Sequence, residues 1–164
     1  MATSEHDPGR GDSSGREAAR PAGGEPPTRS ADPALDHALL FEAVPVALLV
    51  LSPDLVIRTA SDAYLRATRT LRADIVGRSI FEVFPDNPDE PDATGVRNLR
   101  ASLERVVATG KPDPMAVQKY DIREPDAGIS AFVEHYWSPV NVPVHDAEGR
   151  LRYILHKVED VTEY

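Results

Sequence analysis

The chain of 164 residues contains no cysteine. It therefore cannot form a disulfide, a zinc-thiolate site or a thiolate nucleophile, and its stability has to come from packing. The absence of disulfides is typical of proteins of the reducing cytoplasm, so we expect a cytoplasmic protein. Long hydrophobic runs are also missing. The longest, residues 43–51, is too short to cross a bilayer and contains Pro45, so we expect no membrane contact.

An excess of positive charge is missing as well. Eighteen basic residues stand against 27 acidic ones, which gives a formal net charge of -9. The arginines are scattered between acidic residues and form no basic stripe that could attract a polyanion. The sequence therefore predicts no nucleic-acid partner.

Residues 1–31 have almost no side chains that could bury apolar surface, and Gly, Pro, Ser, Ala, Arg and Glu dominate their composition. Such a segment cannot offset the entropy of ordering, so we predict a disordered tail. Residues 32–164 have the apolar content and the length of one compact domain.

The first half of this domain reads as a helix, a hairpin and several short helical stretches. Apolar residues recur at helical spacing from Leu35 to Ala43, and the two β-branched runs at 46–51 and 55–59 are separated by turn residues. Ser61 is a suitable cap for the helix that follows. The acidic stretch 86–92 is interrupted by prolines and is predicted to be a surface loop.

The second half reads as one long helix and three strands. The helix is predicted over residues 94–109, with Gly110 as its end. Its inward face is predicted to consist of Val96, Leu99, Leu103, Val106 and Val107. Strands are predicted at 115–122, 132–142 and 151–158, the last two joined by a glycine-containing turn at 145–149.

A hairpin, a helical crossover and a three-stranded meander predict an α+β fold. Its five-stranded antiparallel sheet has the order 2-1-5-4-3, with the helical crossover on one face. This arrangement resembles the PAS fold, a sensory module of bacterial signal-transduction proteins. Four segments resemble PAS motifs in the correct order: residues 50–54, 61–65, 77–85 and 143–163, the last ending in Asp160-Val161-Thr162-Glu163.

The resemblance implies a ligand pocket between the inner sheet face and the helices. Alternation within the fourth strand separates Trp137 and Asn141 from Tyr136, Val140 and Val142. The resemblance to flavin-binding relatives implies that Trp137 and Asn141 point toward the inner face of the sheet. It implies the same for Ile154, His156 and Val158 in the last strand. The candidate ligand-binding residues are Trp137, Asn141, His156, Val158 and Tyr120. The alternative interpretation is that these side chains simply fill the core.

The cofactor stays open at this point, but two types are disfavoured. A photoactive flavin domain of this family needs a cysteine for its adduct, and the chain has none. Heme-binding PAS sensors commonly take an axial histidine from the long helix, which contains none here. The histidines at 135, 145 and 156 are too dispersed for a metal site. Ser138, His156 and Asp160 lack a nucleophile elbow, so we expect no enzymatic activity.

The predicted function is sensing, with signals leaving through contacts with other chains. Leu39 and Leu40 of the first helix, and Tyr136, Val140 and Val142 of the outer sheet face, are the candidate dimer or partner surface. The expected partners are a small-molecule ligand, a second copy of the chain, and a histidine kinase or other output protein. The alternatives are a ligand-free protein-interaction module and a small α+β enzyme of the ketosteroid-isomerase kind.

Overall fold

The computed structural model describes residues 34–124 and 131–163, so the predicted disordered tail, residues 1–31, lies outside the described residues. The helices are α1 (His37–Glu42), α2 (Asp62–Thr68), α3 (Arg72–Ile75), α4 (Ile80–Val83) and α5 (Gly95–Thr109). The strands are β1 (Ala47–Leu51), β2 (Ile57–Ala60), β3 (Asp113–Pro114), β4 (Gln118–Lys119), β5 (Ile122–Glu124), β6 (Ala131–Val133), β7 (Tyr136–Trp137), β8 (Val140–His145) and β9 (Leu151–Val158).

The main sheet has five antiparallel strands in the order β2-β1-β9-β8-β3. The strands β8 and β9 belong to the predicted fourth and last strands, whereas β3 lies just before the range 115–122 predicted for the third strand. The order confirms the predicted 2-1-5-4-3 and the α+β fold. The helices between β2 and β3 form the predicted crossover. None of the helices in the described part of the chain is long and apolar enough to span a membrane.

The third and fourth strands are less regular than their sequences predict. Each is divided into three pieces, and β4 pairs with β7 while β5 pairs with β6 in two small sheets. Pro114 and Pro139 lie at the first interruption, and neither has a backbone N–H to donate to a ladder. The two strands therefore form one long hairpin in which hydrogen bonding is interrupted.

Helix α5 packs one face against the sheet, through Leu99, Ser102, Leu103 and Val106, which are buried. It ends at Gly110, whose left-handed backbone (φ 63°) places its N–H 2.8 Å from the carbonyl oxygen of Val106. The prediction that Val107 belongs to the packed face is wrong, since Val107 is 42% exposed. It lies about 100° further around the helix than Val106.

Ser61 connects the start of α2 to the first strand. Its hydroxyl donates to the carbonyl oxygen of Val46 at 2.7 Å. The same oxygen accepts from the backbone N–H of Leu48 at 3.0 Å and from that of Tyr64 at 3.2 Å. Because Ser61 is fully buried, water cannot replace these three bonds.

We expect Ser61→Ala to lower the free energy of unfolding by about 2 kcal/mol, because it removes a helix cap and leaves buried backbone groups without partners. Urea denaturation followed by circular dichroism measures this. Ser79→Ala is the matched control, since Ser79 caps the short α4 through one bond of 3.3 Å to Phe81 N and is only half-buried. A loss for Ser61→Ala no larger than for Ser79→Ala would contradict the assignment.

Candidate functional site

A cavity of about 50 Å³ lies between the inner face of the sheet and helices α2, α4 and α5. Its wall is mainly apolar and aromatic. The apolar and aromatic side chains of the wall include Tyr64, Ile80, Phe84, Leu99, Trp137 and Val158. The concave shape, the apolar wall and the few polar groups are the features of small-molecule sites in proteins.

The structure brings most of the candidate ligand-binding residues to this cavity. Trp137, Tyr120, His156 and Val158 line it, whereas Asn141 is buried beside His156 and does not form part of the wall. Tyr120, which directly follows β4, faces the cavity. Its hydroxyl donates to the carbonyl oxygen of Phe84, and the indole N–H of Trp137 donates to the Tyr120 carbonyl at 2.9 Å.

The positions of the polar residues follow from the register of the sheet. Asn141 in β8 lies directly opposite His156 in β9. On its other side, Asn141 lies opposite Asp113 in β3, and His156 lies opposite Leu49 in β1. Residues that face each other across a sheet point to the same side, so one row of side chains crosses the inner face.

Hydrogen bonds join this row to α5, and we call the connected side chains His156, Asn141, Ser102, Asp113 and Arg105 the polar row. His156 Nδ1 lies 2.7 Å from Asn141 Oδ1, and Asn141 Nδ2 donates to Ser102 Oγ at 2.8 Å. Ser102 Oγ is hydrogen-bonded to Asp113 Oδ2. The Arg105 guanidinium donates to both oxygens of Asp113, at 2.8 and 3.2 Å. The polar row therefore runs from the cavity wall to the surface.

Burial and hydrogen bonds together determine which side chains of the polar row are charged. Burial lowers the pKa of His156 from 6.5 to about 4, so the ring is neutral at pH 7. Hydrogen bonds from Arg105 and Ser102 hold the pKa of Asp113 below its usual range. Burial also raises the pKa of the Tyr64 and Tyr120 hydroxyls, which stay protonated. The cavity wall is thus uncharged, while a carboxylate stands at the far end of the polar row.

The size of the cavity limits what it accommodates. Pockets for drug-sized ligands measure roughly 300–1,000 Å³, far more than the 50 Å³ found here. A flavin ring does not fit between these side chains as they stand. A molecule of a few non-hydrogen atoms fits better, and Met115 in the wall is an unbranched side chain that adapts easily to a guest.

Sequence reasoning missed Ser102, Asp113 and Tyr64 as parts of the site. Ser102 had a readable signal, since it interrupts the apolar face of α5 three residues after Leu99. Tyr64 was recognised as part of a helix but not as a cavity residue. Asp113 had no local signal, because it enters the site only through its pairing with Asn141.

The other candidate constellations are not assembled. The Nδ1 atom of His135 bonds to Asp160 at 2.8 Å, and His156 bonds to Asn141, so Ser138, His156 and Asp160 form no triad. Within residues 34–124 and 131–163, no group of three His, Cys, Asp or Glu side chains is placed to hold a metal ion.

The candidate partner residues lie on the surface to different degrees. Leu39 and Leu40 of α1 are 62% and 52% exposed, and Tyr136 is 36% exposed. Val140 and Val142 on β8 are half-buried. The apolar surface that they offer is therefore largest on α1.

Comparison with known families gives one match. A family model described as the PAS fold matches residues 41–164. A search of curated protein sequences found no significant match.

Solved structures share the architecture at low identity. A PAS domain of a protein from Colwellia psychrerythraea has a TM-score of 0.57 at 12% identity, covering 77% of this chain and 95% of that one. The LOV protein of Rhodobacter sphaeroides has a TM-score of 0.58 at 16% identity, covering 76% and 64%. A sensory box sensor histidine kinase from Vibrio cholerae has a TM-score of 0.50 at 17% identity, covering 77% and 90%. These likenesses concern the fold alone.

The charge state of His156 predicts a pH dependence of stability. The unfolded chain takes up a proton at this residue near pH 6.5, whereas the native chain does so only near pH 4. Acid therefore favours the unfolded state between these values, and stability should fall by on the order of 3 kcal/mol as the pH drops from 6.5 to 4. Above pH 6.5 this contribution is constant.

Urea denaturation at several pH values measures the slope. In His156→Gln the fall over this window should shrink by that amount, because glutamine does not titrate. His37→Gln is the control variant, since it makes the same substitution at an exposed position of α1. An unchanged slope in His156→Gln would mean that the buried ring is not the source.

Proposed function

Because this chain belongs to the PAS-fold family, we propose that it is a cytoplasmic sensory domain of bacterial signal transduction that binds a small ligand in its cavity. PAS domains are generally sensory rather than catalytic. Ligand binding changes the packing between the sheet and the helices, and the change is passed on through contacts with a second copy or with a partner such as a histidine kinase. A sensor histidine kinase is among the structures of similar fold, which supports this choice of partner.

The observation that carries the proposal is the placement of a histidine in an apolar cavity wall. His156 is buried next to Tyr64, with their ring centroids 6.3 Å apart. A few polar groups placed in an apolar wall are the usual means by which a pocket orients a small molecule. We propose that Trp137, Tyr120 and Val158 supply the apolar contact and that Asn141 acts through His156.

We further propose that the domain performs no chemistry. A base needs an adjacent nucleophile or a substrate proton within reach. The Nδ1 atom of His156 is already engaged with the amide of Asn141, and burial lowers the pKa of the ring to about 4, which makes it a weak base. Binding is therefore the better use of this site.

A ligand-free interaction module is the second candidate, and the small volume of the cavity favours it. A space of about 50 Å³ is close to what imperfect packing leaves in a core. In that case the aromatic side chains complete the core and only proteins are recognised.

The two candidates differ in what the purified protein carries. We expect native mass spectrometry of the full chain, purified from its own host, to show a bound small molecule, and Val158→Ile to lose it because the added methyl group occupies the cavity. Val144→Ile is the matched control, because Val144 is half-buried in β8 away from the cavity. A native protein with no bound molecule, and with no thermal shift on adding small metabolites, would favour the ligand-free module.

For signal output we propose a homodimer that buries Leu39 and Leu40 of α1, with Tyr136, Val140 and Val142 on the outer sheet face as further partner residues. Neighbouring exposed leucines on one short helix are costly in water and gain from burial against a second copy. A two-fold dimer would place the same apolar surface from both chains in contact.

Sedimentation velocity tests the dimer. We expect the native chain to dimerise at micromolar concentration and the double variant Leu39→Glu, Leu40→Glu to be a monomer, because two carboxylates on each copy would be brought together. Leu71→Glu is the control, since Leu71 is 68% exposed at the start of α3 and is not assigned to the surface. A native chain that stays monomeric at high micromolar concentration would remove the dimer from the proposal.

A further inference from the structure

The polar row has a direction, which its surface end determines. Asp113 is paired with the Arg105 guanidinium, and its lowered pKa keeps it ionised. A carboxylate only accepts hydrogen bonds. Ser102 has a single hydroxyl proton, so its bond with Asp113 uses that proton.

The amide of Asn141 is then oriented without ambiguity. Since the Ser102 proton is used, Ser102 Oγ has to accept, and the group of Asn141 that faces it is the NH₂ at 2.8 Å. The sulfur of Met115, a weak acceptor, lies 3.6 Å from the same nitrogen. The amide oxygen of Asn141 therefore faces His156.

This orientation decides which nitrogen of His156 carries the proton. An amide oxygen accepts, so Nδ1 at 2.7 Å must donate to it. A neutral imidazole has only one N–H, and the other nitrogen, Nε2, therefore presents a lone pair. Within the described part of the chain, the bond to Asn141 is the hydrogen bond that the ring makes.

Two other polar side chains of the wall are occupied by the chain itself. Thr68 donates to the carbonyl oxygen of Tyr64 at 2.9 Å. Gln118 accepts from Asn98 at 2.8 Å and donates to the carbonyl of Ala116 at 2.8 Å. The lone pair of His156 and the hydroxyl of Tyr64 are then the groups that a guest can use.

We propose that His156 Nε2 is the hydrogen-bond acceptor that orients the ligand, and that the ligand is a small, neutral, mostly apolar molecule carrying a hydroxyl or N–H donor. Asn141 and Ser102 are positioning residues that keep the lone pair directed at the cavity. A charged ligand is disfavoured because the apolar wall would remove its hydration without a counter-charge. The inference deepens the proposed ligand-binding function and rests on it.

The tautomer is tested first, on the full chain with ¹⁵N-labelled histidine and no added ligand. At neutral pH, ¹⁵N NMR of His156 should show a pyrrole-type Nδ1 and a pyridine-type Nε2. In Asn141→Asp a carboxylate replaces the amide, and both nitrogens should become protonated near neutral pH. A native ring protonated at Nε2 would overturn the assignment whatever the protein binds.

The ligand class is tested with two rings of nearly equal size, pyrrole, which offers an N–H donor, and furan, which offers only an acceptor. In NMR titrations of the native chain, pyrrole should bind at least about fivefold more tightly, the effect of one net hydrogen bond. The preference for pyrrole over furan should persist in Tyr64→Phe, which removes the Tyr64 hydroxyl as the second group available to a guest. It should vanish in His156→Leu. If His156→Leu does not fold, Asn141→Asp decides instead, since its charged ring has no acceptor.

The outcomes separate this inference from the function on which it rests. Equal or tighter binding of furan would overturn the ligand class while leaving a ligand-binding cavity. Binding of neither ring, with the expected tautomer, would overturn the ligand class together with the proposed binding function.

Discussion

The hydrogen bond between Asn141 and His156 joins two buried side chains that face each other across β8 and β9. Both belong to strands whose opposite faces look outward, so a slip of one residue in the pairing would move the two polar groups to the other side of the sheet. Their bond is satisfied only in the native register, which makes the register specific. The same bond defines the polar face of the cavity, so fold and site depend on one contact.

Polar groups inside an apolar core are costly unless every one of them has a partner. The polar row meets this condition at all its groups except His156 Nε2, and it reaches the surface, where Asp113 is ionised and paired with Arg105. Each side chain along the row donates to the next, from the ring of His156 to the carboxylate. The row also connects α5 to β8 and β3 through Ser102, in addition to the apolar contacts of Leu103 and Val106. The polar row thus forms a continuous hydrogen-bonded connection from the cavity wall to the surface of the long helix.

The fold is shared with solved structures at low sequence identity. Three of them match this chain with TM-scores of 0.50–0.58 at identities of 12–17%. The rings of Tyr64, Tyr120 and Trp137 line the cavity of about 50 Å³. Gly95 packs closely against the Tyr120 ring, because a Cβ atom there would collide with it. A shared fold does not by itself determine function, which depends on the side chains of the site.

The sequence by itself determined the order of the strands, the crossover, the end of α5 at Gly110 and the burial of Trp137, Asn141 and His156. These features depend on alternation, helical spacing and turn residues, which are local properties. Only the tertiary structure decided that Asp113, Asn141 and His156 form a row, that Ser102 completes it and that Val107 points outward. Residues 113, 141 and 156 are distant in the chain and are brought together by the register of the strands. The register depends on pairing between segments, so it cannot be recognised in the sequence of any single strand.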